Sequence, residues 1–157
     1  MKLLLTAVGK TTQPIIRKGI DEYLARLRHY LPVEVEIVAD IKKTSALTVE
    51  KQKEQEGEAL LRRIEPSDRL ILLDENGKEM TSREFAAYME KQMASGIKRL
   101  VFAVGGPYGF SPAVYRRADA KLSLSRMTFN HEMVRLFFVE QLYRAQTILR
   151  GEPYHHD

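Results

Sequence analysis

Residues 101–110 read VFAVGGPYGF: four apolar residues that end in three glycines spread over five positions. A short apolar run closed by glycine is the pattern of a buried strand handing over to a loop. Ser111-Pro112 follows, a helix N-cap with proline at the first helical position. Strand, glycine loop and helix start form the unit from which parallel α/β sheets are assembled. The loop itself has two readings, a ligand cradle or a tight corner. It lacks the G-x-G-x-x-G spacing of a dinucleotide fingerprint and the Lys-Ser/Thr of a P-loop.

The same alternation extends in both directions. Residues 3–8 form an apolar run before Gly9 and predict a first strand. Pro14 opens a helix whose apolar face carries Ile16, Ile20, Tyr23, Leu24, Leu27 and Leu31, and Pro32 stops it. Residues 33–38 alternate apolar and acidic, a half-exposed strand. The polar stretch that follows predicts a loop and then a solvated helix to about residue 64, with Gly57 weakening it. Residues 69–74 form another strand, ended by the turn Glu75-Asn76-Gly77. Thr81-Ser-Arg-Glu84 is a capping box and predicts a helix over 82–94, with Gly96 past its end. After the strand at 100–104 come a short helix to about 118, a short strand at 120–124, a loop and a last helix over 131–149. The expected fold is α/β, one domain over 1–157, with a mainly parallel sheet and helices on both faces.

The absence of cysteine excludes disulfides, thiolate metal sites and a cysteine nucleophile. No stretch is long enough to span a membrane, and the apolar run of MKLLLTAVGK is too short for a signal peptide, so the expected compartment is the cytoplasm. A net charge of +4 points only weakly to an acidic partner such as nucleic acid.

In open α/β sheets, ligands bind beyond the carboxyl ends of the strands. The loops after Asp74, Val104 and Leu124 are therefore the candidate site. The last helix is apolar nearly all round, through Met133, Val134, Leu136, Phe137, Phe138, Val139, Leu142 and Tyr143. Such a helix is buried, either in the monomer core or against a second copy, and a homodimer is expected. Glu140 and Arg144 stand four residues apart on it. They read as a surface ion pair, or as functional charge if the helix is buried. His131, His155 and His156 show no ligand spacing, and no metal is expected.

The order GGPYG, LSLSRMTFNHEMVR, EQLYRA and a terminal PYHH resembles the SPOUT methyltransferases, and more narrowly the bacterial ribosomal RNA large-subunit methyltransferase H family. MKLLLTAVGK, the EGE at 56–58 and LLDENGK at 72–78 extend the resemblance over the whole chain. The resemblance implies a C-terminal trefoil knot that binds S-adenosylmethionine and methylates N3 of a pseudouridine in 23S rRNA, on assembled ribosomes. Carried onto this sequence, Leu73, Gly105, Leu124, Ser125, Arg126, Met127, Thr128 and Phe129 surround the cofactor. Arg144, Tyr154, His155 and Glu140 are the candidates for chemistry, with the tail completing the partner subunit's site. Asn130 stands where the family usually has proline, and it can still cap the helix. Lys42, Lys43, Arg116, Arg117 and Arg126 are candidate phosphate contacts. The rival readings are a nucleotide hydrolase with a metal on Asp74 and Glu75, and a non-catalytic ribosome-binding factor of the same fold.

Overall fold

The computed structural model describes residues 1–41 and 46–157. The sheet has five strands in the order β2-β1-β4-β3-β5. They are β1 (Lys2–Val8), β2 (Val33–Val38), β3 (Arg69–Glu79), β4 (Arg99–Val104) and β5 (Ala120–Ser123). Every pairing is parallel. The helices are α1 (Pro14–Leu27), α2 (Val49–Leu61), α3 (Ser82–Ala94), α4 (Pro112–Arg117) and α5 (His131–Leu149).

Alternate residues of the central strands feed two separate cores. Leu3, Leu5, Ile71, Leu100 and Phe102 meet α1, α3 and α5 on one face. Leu4, Leu70, Leu72, Val101 and Ala103 meet α2 and α4 on the other. This is why β1, β3 and β4 read as continuous apolar runs: both faces of a parallel sheet are covered. On the first face α5 packs between α1 and α3. It is thus a core helix of this chain, with Phe138, Val139 and Leu142 fully buried.

Three elements depart from the sequence pattern. The turn at 75–77 does not end β3. The strand continues to Glu79 and pairs with β5 on both sides of a register shift between Leu73 and Lys78. Gly77 serves close approach rather than a hairpin: a Cβ there would lie 2.7 Å from the backbone of Leu122. Helix α1 ends at Leu27, four residues earlier than its apolar face suggests. Residues before a proline avoid the helical region, and turns closed by His29 N to Arg26 O and Tyr30 N to Leu27 O lead the chain to Pro32. Helix α2 is not merely solvated. Gln52, Glu56, Gly57 and Leu60 form a buried face, and Gly57 is where α4 comes closest, since a Cβ would stand 2.4 Å from Ser111 Oγ. The capping box of α3 is present as expected, with Thr81 and Glu84 each bonding the other's backbone N–H.

Between strands, Asp68 is buried and accepts from Arg99 Nε at 2.9 Å, Arg99 Nη2 at 2.5 Å and the Glu65 backbone at 2.8 Å. Burial opposes its ionisation, but the Arg99 guanidinium and the Glu65 N–H outweigh it and hold the pKa below the ordinary value. A depressed carboxyl contributes stability that is present above its unfolded pKa and lost as pH falls through the folded one. Asp68→Asn is expected to cost about 2 kcal/mol at neutral pH. In urea titrations the gap between wild type and variant should shrink once pH drops below about 4.

Candidate active site

The middle of β3, at its register shift, and the carboxyl ends of β4 and β5 open into a cavity of about 360 Å³, within the range of small-molecule sites. Leu73, Gly105, Leu124, Ser125, Met127, Thr128 and Phe129 all line it, joined by Val104, Tyr108, Tyr115 and His131. Of the eight expected pocket residues, only Arg126 stands outside the lining; its side chain is 87% exposed and pairs with Glu79 at 3.2 Å.

Each glycine of the GGPYG loop answers to a different neighbour. A Cβ on Gly105 would press on the Gly109 carbonyl carbon at 3.2 Å, and one on Gly106 would lie 3.0 Å from Glu56 Oε2. Gly109 has φ +80°, in the left-handed region. Gly109 N donates to Gly106 O at 3.0 Å, closing the loop on itself. The loop is therefore a tight corner and a pocket wall at once.

The rim is acidic. Asp74 accepts from the Tyr115 hydroxyl and from Asn76 N, and Glu75 Oε2 accepts from Thr128 Oγ1 at 2.9 Å, tying the end of β3 to the 124–130 segment. Burial first, then Asp74, raises the Tyr115 pKa, so this phenol remains a donor. The lining contains Asp74 and Glu75 but no lysine or arginine, in a chain of net charge +4.

The candidate chemical residues form a second cluster, on α5 and the tail. Arg144 Nη2 donates to Glu140 Oε1 at 2.5 Å, Arg144 Nη1 meets His155 Nδ1 at 3.1 Å, and the guanidinium lies 4.8 Å from the Tyr154 ring centroid. Burial works against the Arg144 charge, but the Glu140 carboxylate outweighs it and raises the pKa. Burial, then contacts with Tyr23 and Glu140, push the Tyr154 hydroxyl upward as well. Tyr154 thus stays protonated and donates to Glu140 Oε1 at 3.0 Å. Arginine only donates, so His155 Nδ1 accepts and its ring proton sits on Nε2, facing Asp157 Oδ1 at 2.5 Å. None of these four residues lines the glycine-loop pocket. Glu140 instead lines a neighbouring cavity of about 440 Å³ together with Leu122, Leu124 and Phe129, which also line the first.

Two buried charges inside the LSLSRMTFNHEMVR stretch, neither of them among the site candidates read from the sequence, set the position of α5. Glu132 accepts from Thr12 N at 2.6 Å, Thr12 Oγ1 at 2.8 Å and Gln13 N at 3.1 Å, and so caps the start of α1. Arg135, 2% exposed, donates to Val8 O and Gly9 O at 2.8 Å and to Thr11 Oγ1 at 3.0 Å. Asn130 does cap α5, accepting from Glu132 N at 2.9 Å. Of the candidate phosphate contacts, Lys42 and Lys43 lie outside the described residues. Arg117 is engaged internally, donating to the carbonyls of Glu65 and Asp68.

The family model described as "Predicted SPOUT methyltransferase" matches residues 1–155, and the chain belongs to that family. It is 55% identical over its full length, and the relative's, to "Ribosomal RNA large subunit methyltransferase H" of Parabacteroides distasonis. It is 52% identical over both full lengths to the protein of that name from Porphyromonas gingivalis. A third, from Christiangramia forsetii, is 54% identical over 99% of each chain.

Burial opposes the ionisation of Glu132, but the Gln13 and Thr12 donors together hold its pKa low. Glu132→Ala leaves the start of α1 without its acceptor. The expected loss is about 2–3 kcal/mol in denaturant unfolding, with faster amide exchange at Thr12 and Gln13.

Proposed function

We propose that this chain methylates large-subunit ribosomal RNA with S-adenosylmethionine, at N3 of a pseudouridine in 23S rRNA, as a cytoplasmic homodimer working on assembled ribosomes. The observation that carries the cofactor assignment is the pocket's charge: an acidic rim without lysine or arginine suits a cationic sulfonium nucleoside and repels a nucleotide phosphate. The glycine corner and the apolar floor of Leu73, Leu122, Leu124 and Val134 suit an adenosine packed against backbone. The cofactor supplies a methyl group on a sulfonium, which the base nitrogen takes by direct displacement.

The residues of the chain supply position and proton handling. Thr128 and Glu75 hold the 124–130 segment over the pocket. Glu140 fixes the Arg144 guanidinium, which stabilises the anion of the imide. His155 Nδ1 receives the N3 proton once Arg144 turns from it to the base. Alignment of nucleophile and methyl carbon supplies much of the rate.

The placement of Arg144, Tyr154 and His155 outside the glycine-loop pocket supports the dimer, with the tail cluster of one subunit facing the pocket of its partner. An apolar strip is left uncovered for this contact: Ile15 is 80% and Met133 40% exposed, beside Leu136 and Phe137. RNA contacts fall to distributed cations such as Arg116 and Arg126. On this reading the chain carries the family's knot, and Leu73, Gly105 and residues 124–129 close around the cofactor. Among the described residues no helix is long and apolar enough to cross a membrane. The hydrolase reading has less support, because the lining offers a nucleotide phosphate no lysine or arginine.

Calorimetric titration with S-adenosylmethionine in the absence of metal is expected to show saturable binding. Silence both alone and with ribosomes would overturn the assignment. Arg144→Ala should abolish methylation of ribosomes while cofactor affinity stays within about twofold. Ile15→Glu should shift the sedimentation velocity peak from dimer to monomer and remove methylation with it.

A further inference from the structure

Glu56 is a buried carboxylate that the reaction scheme leaves unused. It projects from α2, is 4% exposed, and accepts one side-chain hydrogen bond, from Gln52 Nε2 at 3.2 Å. Among the described residues, Gln52 Oε1 has no hydrogen-bond partner. A carboxylate so buried, with one neutral side-chain donor among the described residues, is costly compared with an apolar side chain of similar volume.

Its position is specific. Glu56 Oε2 lies against Gly106, where only the absence of a Cβ makes room for it. Gly106 also lines the cofactor pocket from the other side. The carboxylate and the ligand are therefore separated by one thickness of backbone. The void behind the loop, bordered by Lys53, Glu56, Gly57, Gly105 and Ser111, has a volume of only about 10 Å³, room for about one water. That is too small for a ligand, so Glu56 acts across the loop and not by contact.

We propose that Glu56 is a specificity-determining residue that favours the methyl donor over the spent product. This inference rests on the assignment of S-adenosylmethionine to the pocket. Donor and product have almost the same shape. They differ in charge: loss of the methyl group turns a sulfonium cation into a neutral thioether. A negative charge held behind the loop attracts the first and is indifferent to the second. Bulk water screens the rim carboxylates of Asp74 and Glu75; Glu56, 4% exposed, is screened less. The same charge leaves loop geometry to Gly105 and Gly109, whose constraints are backbone ones.

The test compares two ligands on three proteins by calorimetry: S-adenosylmethionine and S-adenosylhomocysteine on wild type, Glu56→Gln and Glu56→Leu. Glu56→Gln keeps the shape, and Glu56→Leu fills the space without polarity. Both variants are expected to bind the methyl donor about tenfold more weakly. Affinity for the homocysteine product should change by less than about twofold. Both should also melt higher than wild type, because a poorly compensated buried charge has been removed. Equal losses for both ligands would make Glu56 a strut for the loop and overturn the proposal, as would unchanged affinity for both. If the wild type binds neither ligand, even with ribosomes, it is the assignment of the pocket that fails.

Discussion

The Arg135 guanidinium sits inside the protein and donates to the carbonyl oxygens where β1 ends. Burial pulls its pKa down, against the nearby charge of Glu132. One turn earlier, Glu132 receives the free N–H groups at the start of α1. Together they fasten the beginning of α5 to the β1–α1 connection. Misplacing α5 would leave two buried charges without their partners, a far larger penalty than one lost apolar contact. The rest follows from that anchorage. With its start fixed, α5 lies between α1 and α3, His131 and Val134 reach the pocket wall, and the far end carries Glu140 and Arg144 to the tail.

Much of this was open to a reading of the sequence, and the parts that were not share a cause. Strands buried on both faces announce themselves as apolar runs, and capping residues mark Thr81, Ser111 and Asn130 as helix starts, because those signals depend on neighbours along the chain. The pocket lining could be listed from 73 to 129 because family likeness attaches to ordered motifs. Asn76-Gly77 misled because its glycine answers to Leu122, a residue far along the chain, rather than to its own turn. Glu56, Glu132 and Arg135 escaped for the same reason. A charged residue on a helix looks solvated until the fold supplies the carbonyl, amide or glycine that it faces. The separation of the Arg144 cluster from the pocket was likewise invisible, since spacing along α5 says nothing about which cavity each face meets.

The site combines two opposing electrostatic demands. The substrate is a polyanion and calls for a basic molecule; the methyl donor is a cation and calls for an acidic pocket. The chain meets both by segregation. Its excess of positive charge lies outside a cavity rimmed by Asp74 and Glu75. Hydrogen bonds from Tyr115, Asn76 and Thr128 keep those carboxylates in place.

The glycine loop has a consequence for how this protein can change over generations. Its three glycines are held by three unrelated causes: a facing carbonyl, a carboxylate from another helix, and a backbone angle. Alanine at position 106 would press on Glu56 Oε2 at 3.0 Å, and the carboxylate would have to give by a few tenths of an ångström to admit it. The two positions are thereby coupled: a shorter side chain at 56 makes a larger one at 106 easier to accept, so each substitution changes the cost of the other.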